Sequence, residues 1–149
     1  MSLKEKINSD LKTAMKSGDA LALNVLRMLV SALHNKGIEK RTKGGSDELT
    51  DEEILQVVMS EAKKRKESIE IFSKGNRPDL AAKEKSELEV VQRYLPAQMS
   101  REEVEKSVDA ILSKLEKKEI GPAMKAVMKE LRGKADSGMV SEMVKNKLS

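Results

Sequence analysis

Leu131-Arg132-Gly133-Lys134-Ala135-Asp136-Ser137-Gly138-Met139-Val140 reads as the junction of two helices. A glycine just past a helix takes the left-handed conformation that closes its end. Asp136 is placed to accept hydrogen bonds from the amides of the next first turn. Downstream, Val140, Met143, Val144 and Leu148 recur at helical spacing; upstream, Met124, Val127, Met128 and Leu131 do the same behind a Gly121-Pro122 start. Lys134 sits in the junction with Arg132 beside it. Amides at a helix start, flanked by cations, make an anion site, so this joint carries both a fold signal and a binding signal.

The same grammar extends backwards through the chain. Ser100-Arg101-Glu102-Glu103 is a capping box opening a fifth helix, with Val104, Val108, Ile111 and Leu115 on its inner face. Pro96 disfavours helix at Leu95 and marks a joint. Before it, Leu3, Ile7, Leu11 and Met15 define a first helix ending near Gly18. Asp19 caps a second, with Leu23, Leu26, Leu29, Val30 and Leu33 inward, running to about Lys40. Thr42–Glu48 holds two Gly and a Ser and reads as a loop. Thr50-Asp51-Glu52-Glu53 is another capping box, leading into Ile54, Val58, Ala62, Ile69 and Phe72. Gly75 stops that third helix, and Asn76 and Pro78 open a fourth carrying Leu80, Leu88, Val91 and Leu95. Strand alternation and hairpin turns are lacking. The expected fold is all-α: a four-helix N-terminal domain over 1–95 and a three-helix tail domain over 96–149.

Composition agrees. Of 149 residues, 38% are hydrophobic and 36% charged, with one Phe, one Tyr, no Trp and nine Met. The core must then be aliphatic, with methionine as adaptable filler. The absence of Cys excludes disulfides, thiolate metal sites and Cys nucleophiles. The Met-Ser-Leu-Lys-Glu-Lys start lacks an apolar signal core, and no apolar run approaches bilayer-spanning length; a soluble, cytoplasmic chain is expected. The net charge is +4. Residues 1–95 hold 18 Lys/Arg against 16 Asp/Glu and residues 96–149 hold 11 against 9, so the shorter tail is the more basic per residue. That balance permits an anionic partner without demanding one.

Few clusters suggest chemistry. Lys63-Lys64-Arg65-Lys66 is the densest basic run and reads either as a solvated face paired with Glu61, Glu67 and Glu70 or as a face for RNA or another partner. Asp47, Glu48, Asp51, Glu52 and Glu53 lack calcium-loop spacing and complement a helix dipole; no metal is expected. His34, the only histidine, has Ser31 one turn back but no second element that completes a triad, and reads as a helix-surface residue. Neither GxxxxGK[ST] nor GxGxxG occurs, and no cofactor is implied. The remaining candidates are Arg132 and Lys134, with Lys129 and Lys145 adding charge, as a phosphate-binding set. Against that stands a purely architectural reading of Gly133 and Asp136 as caps with Lys134 merely exposed.

The closing segment Gly133-Lys134-Ala135-Asp136 with Val140, Val144 and Leu148 resembles that of the YqeY-like (GatB/YqeY) family. So do the connection Tyr94-Leu95-Pro96-Ala97-Gln98-Met99-Ser100, the pair Arg27-Met28, the run Lys64-Arg65-Lys66-Glu67-Ser68, and Arg77-Pro78-Asp79-Leu80. The resemblance covers essentially the whole chain in order. It implies the four-plus-three helical arrangement, and kinship with the tail of the B subunit of tRNA-dependent amidotransferases. There the tail holds the tRNA body while chemistry lies in other domains, although the label of carbon–nitrogen ligase activity with glutamine as amido-N-donor travels with it. The implied partner is tRNA or a tRNA-handling protein. The alternative is a non-catalytic protein–protein interaction module, to which a lean core, soft methionines and high exposed charge are suited.

Overall fold

The structure, a computed structural model, describes residues 2–149. Seven helices follow one another: α1 (Leu3–Ser17), α2 (Ala20–Thr42), α3 (Asp51–Lys74), α4 (Pro78–Gln92), α5 (Arg101–Ser113), α6 (Ile120–Leu131) and α7 (Ser137–Leu148). No strand occurs among the described residues. The chain divides into two compact units, Met1–Leu95 and Pro96–Ser149.

In the first unit the local signals act much as the sequence indicates. Thr50 and Glu53 form a reciprocal capping box at α3, and Asp19 accepts from Ala22 N at 3.1 Å to start α2. Gly18, at φ 73°, closes α1 and turns the chain straight into α2. A second reciprocal box, Ser2 with Glu5, opens α1 in the same way. At the α3–α4 turn the left-handed residue is Asn76 (φ 57°), while Gly75 keeps φ −81°. Asparagine tolerates that region because its short polar side chain bonds locally. Pro78 then occupies the first position of α4, where a missing N–H costs nothing.

Ile7, Val25, Leu26, Leu29, Ile54, Val58, Val90 and Val91 are almost fully enclosed and form the first core. Leu3 and Leu11 pack on its edge, but Met15, expected inward, is 53% exposed; Ala14 takes the buried position instead. α4 lies along α3, and α2 touches all three other helices. Tyr94, just beyond α4, is buried and donates its hydroxyl to Asp10 Oδ2 of α1 at 2.6 Å. Burial and that carboxylate push the phenol's pKa far up. Lys6 Nζ lies 5.5 Å from the centre of the same ring, within cation–π range.

α1 has 15 residues and α2 has 23, joined by a two-residue turn. Eight extra residues at 1.5 Å each carry α2 about 12 Å beyond the start of α1. The segment after α2 folds back over this overhang. Gly37 makes that possible: a Cβ there would stand 2.7 Å from the Asp47 carbonyl oxygen. Lys40 fastens the return, its ammonium donating to Glu48 O at 2.9 Å and to Glu53 Oε1 at 2.7 Å. The Lys40 hydrogen bond, with help from the Thr50 amide, lowers the Glu53 carboxyl to about 2.

In the second unit, all three helices pack on one another. Val104, Val108, Ala123, Val127, Val140 and Val144 are enclosed, with Leu131 and Met143 beside them. Every buried side chain of this core is apolar.

Candidate nucleic-acid interface

The α6–α7 joint is held by its main chain. After Leu131, Gly133 enters the left-handed region at φ 80°, and Lys134 N returns to Leu131 O at 3.0 Å. The extended Pro96–Met99 segment then grips the turn. Met99 N donates to Lys134 O at 2.8 Å, and Gln98 Nε2 donates to Gly133 O at 2.8 Å and to Pro96 O at 3.0 Å. Gly133 and Ala135 are buried, whereas Arg132 and Lys134 are exposed on either side of Gly133. Two motifs some 35 residues apart thus meet as one hydrogen-bonded corner that aims alternate side chains outward.

The anion position at the start of α7 is already taken. Asp136 Oδ2 accepts from Met139 N at 3.0 Å and lies 3.2 Å from where a Cβ on Gly138 would be. The chain's own carboxylate therefore takes the Met139 amide and sets a negative charge at this helix start, against the expectation that its amides are open to an outside anion. What the corner offers is side-chain charge.

Lys129 is exposed in the last turn of α6, near Arg132 and Lys134. Lys145 is exposed too, but it belongs to the last turn of α7. Eight residues after Ser137, it lies about 12 Å along the axis from the helix start. Lys129, Arg132 and Lys134 are thus neighbours along the chain at this joint, whereas Lys145 lies in the last turn of α7. Lys129, Lys134 and Lys145 make no ion pair among the described residues. Lys147 is spent internally: Asp109 Oδ1 at 2.8 Å and Glu105 Oε1 at 3.2 Å tie α7 to α5. The Asp109 hydrogen bond leads in raising the Lys147 pKa. Glu130 and Asp136 are exposed nearby and temper the positive field.

The other sequence candidates disperse. In Lys63-Lys64-Arg65-Lys66 the three lysines are exposed, and Arg65 turns inward at 6% exposure. Its Nη1 binds Glu87 Oε2 and, at 3.2 Å, Glu84 Oε2, both on α4. The i, i+3 and i, i+7 spacing from Ala62 and Val58 is the available signal, masked when the run is read as one charged surface. His34 and Ser31 line different depressions. His34 borders a cleft of about 550 Å³ at the α2 overhang, with Lys4, Arg41 and Leu49. Ser31 borders an open groove between α2 and α3. No group of three or more His, Asp or Glu among the described residues is placed to hold a metal ion. Among the described residues, no helix is long and apolar enough to cross a membrane.

The family model described as Yqey-like protein matches residues 4–148. The chain belongs to the YqeY-like family. Relatives include the protein named "Altered inheritance of mitochondria protein 41, mitochondrial" in three fungi. That of Vanderwaltozyma polyspora is 35% identical over 84% of this chain and 66% of its own length. That of Pyrenophora tritici-repentis is 31% identical over 93% and 77%, and that of Lachancea thermotolerans 33% over 87% and 68%. The YqeY-like chain thus spans about two thirds of the first of these curated relatives. Their name places them in mitochondria, whereas the sequence led to an expectation of the cytoplasm.

Proposed function

We propose that this YqeY-like chain is an accessory module that grips the phosphate backbone of tRNA through its second unit. The observation that carries the reading is the α6–α7 corner: a turn held through its carbonyl oxygens, with Arg132 and Lys134 exposed on it and Lys129 exposed in the preceding helical turn. A cation on a fixed scaffold loses less freedom on meeting phosphate than one on a mobile loop. Recognition rests on charge and shape, since side chains for stacking on bases are nearly absent. The carbon–nitrogen ligase label that accompanies the domain belongs, on this reading, to partner domains that carry out the chemistry. Lys145 adds a phosphate contact separate from the corner.

Fluorescence anisotropy with labelled tRNA over a salt series tests it. Arg132→Ala with Lys134→Ala should weaken binding and flatten the salt dependence of log K by about 0.9 for each duplex phosphate no longer neutralised. Equal affinity and slope for the two proteins would reject the site.

A protein–protein module is the second reading, favoured by Met15, Leu21, Met28, Ile38 and Ile71, all large apolar side chains exposed on the first unit. Capture from nuclease-treated lysate separates the two: partners that survive RNA digestion support it, and loss of every partner removes it.

A further inference from the structure

The pair Arg27-Met28 and the run Lys64-Arg65-Lys66 meet in space, and the tRNA reading uses neither. Arg65 Nη2 stands 3.4 Å from Met28 Sδ. A guanidinium carries five N–H donors, and a thioether is a weak acceptor. Nη1 has its two carboxylates, but Nε is buried with no acceptor among the described residues. One side of a buried cation is therefore poorly matched, and the group facing it is sulfur. That sulfur is reachable: Met28 is 47% exposed and lines the open α2–α3 groove with Ser31, Gln56 and Ser60.

We propose that Met28 is a site of reversible oxidation by peroxide, and that Arg65 captures the sulfoxide formed. The sulfur lone pair attacks one peroxide oxygen and the O–O bond breaks. That oxygen forms the S–O bond and gives up its proton to the other, which leaves as water. Sulfur loses two electrons and the peroxide gains them. The new oxygen is a strong acceptor, and turning of the half-exposed Met28 side chain brings it to the guanidinium face that the sulfur now meets. Methionine oxidation ordinarily disturbs packing by making an apolar side chain polar; here the polar atom arrives beside a guanidinium whose Nε lacks an acceptor among the described residues and whose Nη2 has only sulfur. Met15 is as reachable, 53% exposed, but has no hydrogen-bond donor on its sulfur among the described residues, so it is removed from the test.

The test uses the full chain with Met15→Leu, treated with limiting hydrogen peroxide. Met28 sulfoxide is quantified by peptide mass spectrometry, and the singly oxidised protein is melted by circular dichroism. Oxidation at Met28 should raise Tm by about 4 °C. Met28→Gln, which brings an amide oxygen to the same place, should rise likewise. Met28→Leu should lower Tm and abolish the peroxide response. Methionine sulfoxide reductases for both epimers should return the oxidised protein to its starting Tm. A Tm that stays level or falls on Met28 oxidation overturns the capture, as does a Met28→Gln protein no more stable than Met28→Leu. A sulfoxide that the reductases leave in place overturns reversibility.

Discussion

The Met1–Leu95 unit encloses a guanidinium and ties its helices with named polar bonds: Arg65 to Glu84 and Glu87, Tyr94 to Asp10, Lys40 to Glu53. The Pro96–Ser149 unit has a core of aliphatic side chains and fixes its geometry at the main chain, where Gln98 and Met99 hold the α6–α7 turn. Long helices have many ways to slide along one another, and directional bonds select one. Three short helices around a buried turn have fewer alternatives, so apolar packing, a few carbonyls and the surface ion pairs of Lys147 suffice. The contrast is that the first unit buries a cation, whereas the second keeps its ion pairs at the surface, as Lys147 does with Asp109 and Glu105.

The sharpest way to break the comparison is at Arg65. Arg65→Met removes the cation between two largely buried carboxylates and should cost about 3 kcal/mol, as breaking a buried pair does. A loss below about 1 kcal/mol in urea unfolding would show that the first unit does not depend on its buried charge. An apolar counterpart gives the scale for the second: Leu131→Ala should cost about 3 kcal/mol by the same measurement, since it empties a buried leucine site. Gln98→Ala should cost about 1 kcal/mol by loosening the Gly133 carbonyl. A neutral result would place the corner's rigidity on the Met99 bond alone. Asp136→Ser retains a capping oxygen and should change stability by under about 0.5 kcal/mol, while strengthening tRNA binding by removing a negative charge beside Lys134.

The smallest effect is electrostatic. Glu53 falls from its ordinary 4.5 to about 2 in the folded chain, chiefly through Lys40. A lowered folded pKa means the contribution is complete above pH 4.5 and drains away as pH drops toward 2. The Tm gap between the wild type and Glu53→Gln should therefore shrink across that window. A gap that is constant from about pH 5 to about pH 2.5 would dissociate the α2–α3 return from this ion pair.

Helix number, caps and most inward positions are readable because each is encoded locally: Thr50 with Glu53, Asp19, Pro78, and apolar residues at turn spacing. What escapes depends on partners distant in sequence. Arg65 looks like its lysine neighbours until α4 brings Glu84 and Glu87 to it. The role of Gln98 requires Gly133, 35 residues later. The overhang cleft follows from the unequal lengths of α1 and α2, which the sequence indicates only loosely. Asp136 is the cap that its position indicates, but capping and an open anion position at the same amides exclude each other.

Because the Gly133–Lys134 turn is gripped through its peptide oxygens, the identity of the outward Lys134 side chain is irrelevant to its shape. Position 134 works as a socket into which evolution, or an experimenter, can set any side chain without reshaping the mount. A change of affinity after substitution there reports on the visiting molecule and not on damage to the host.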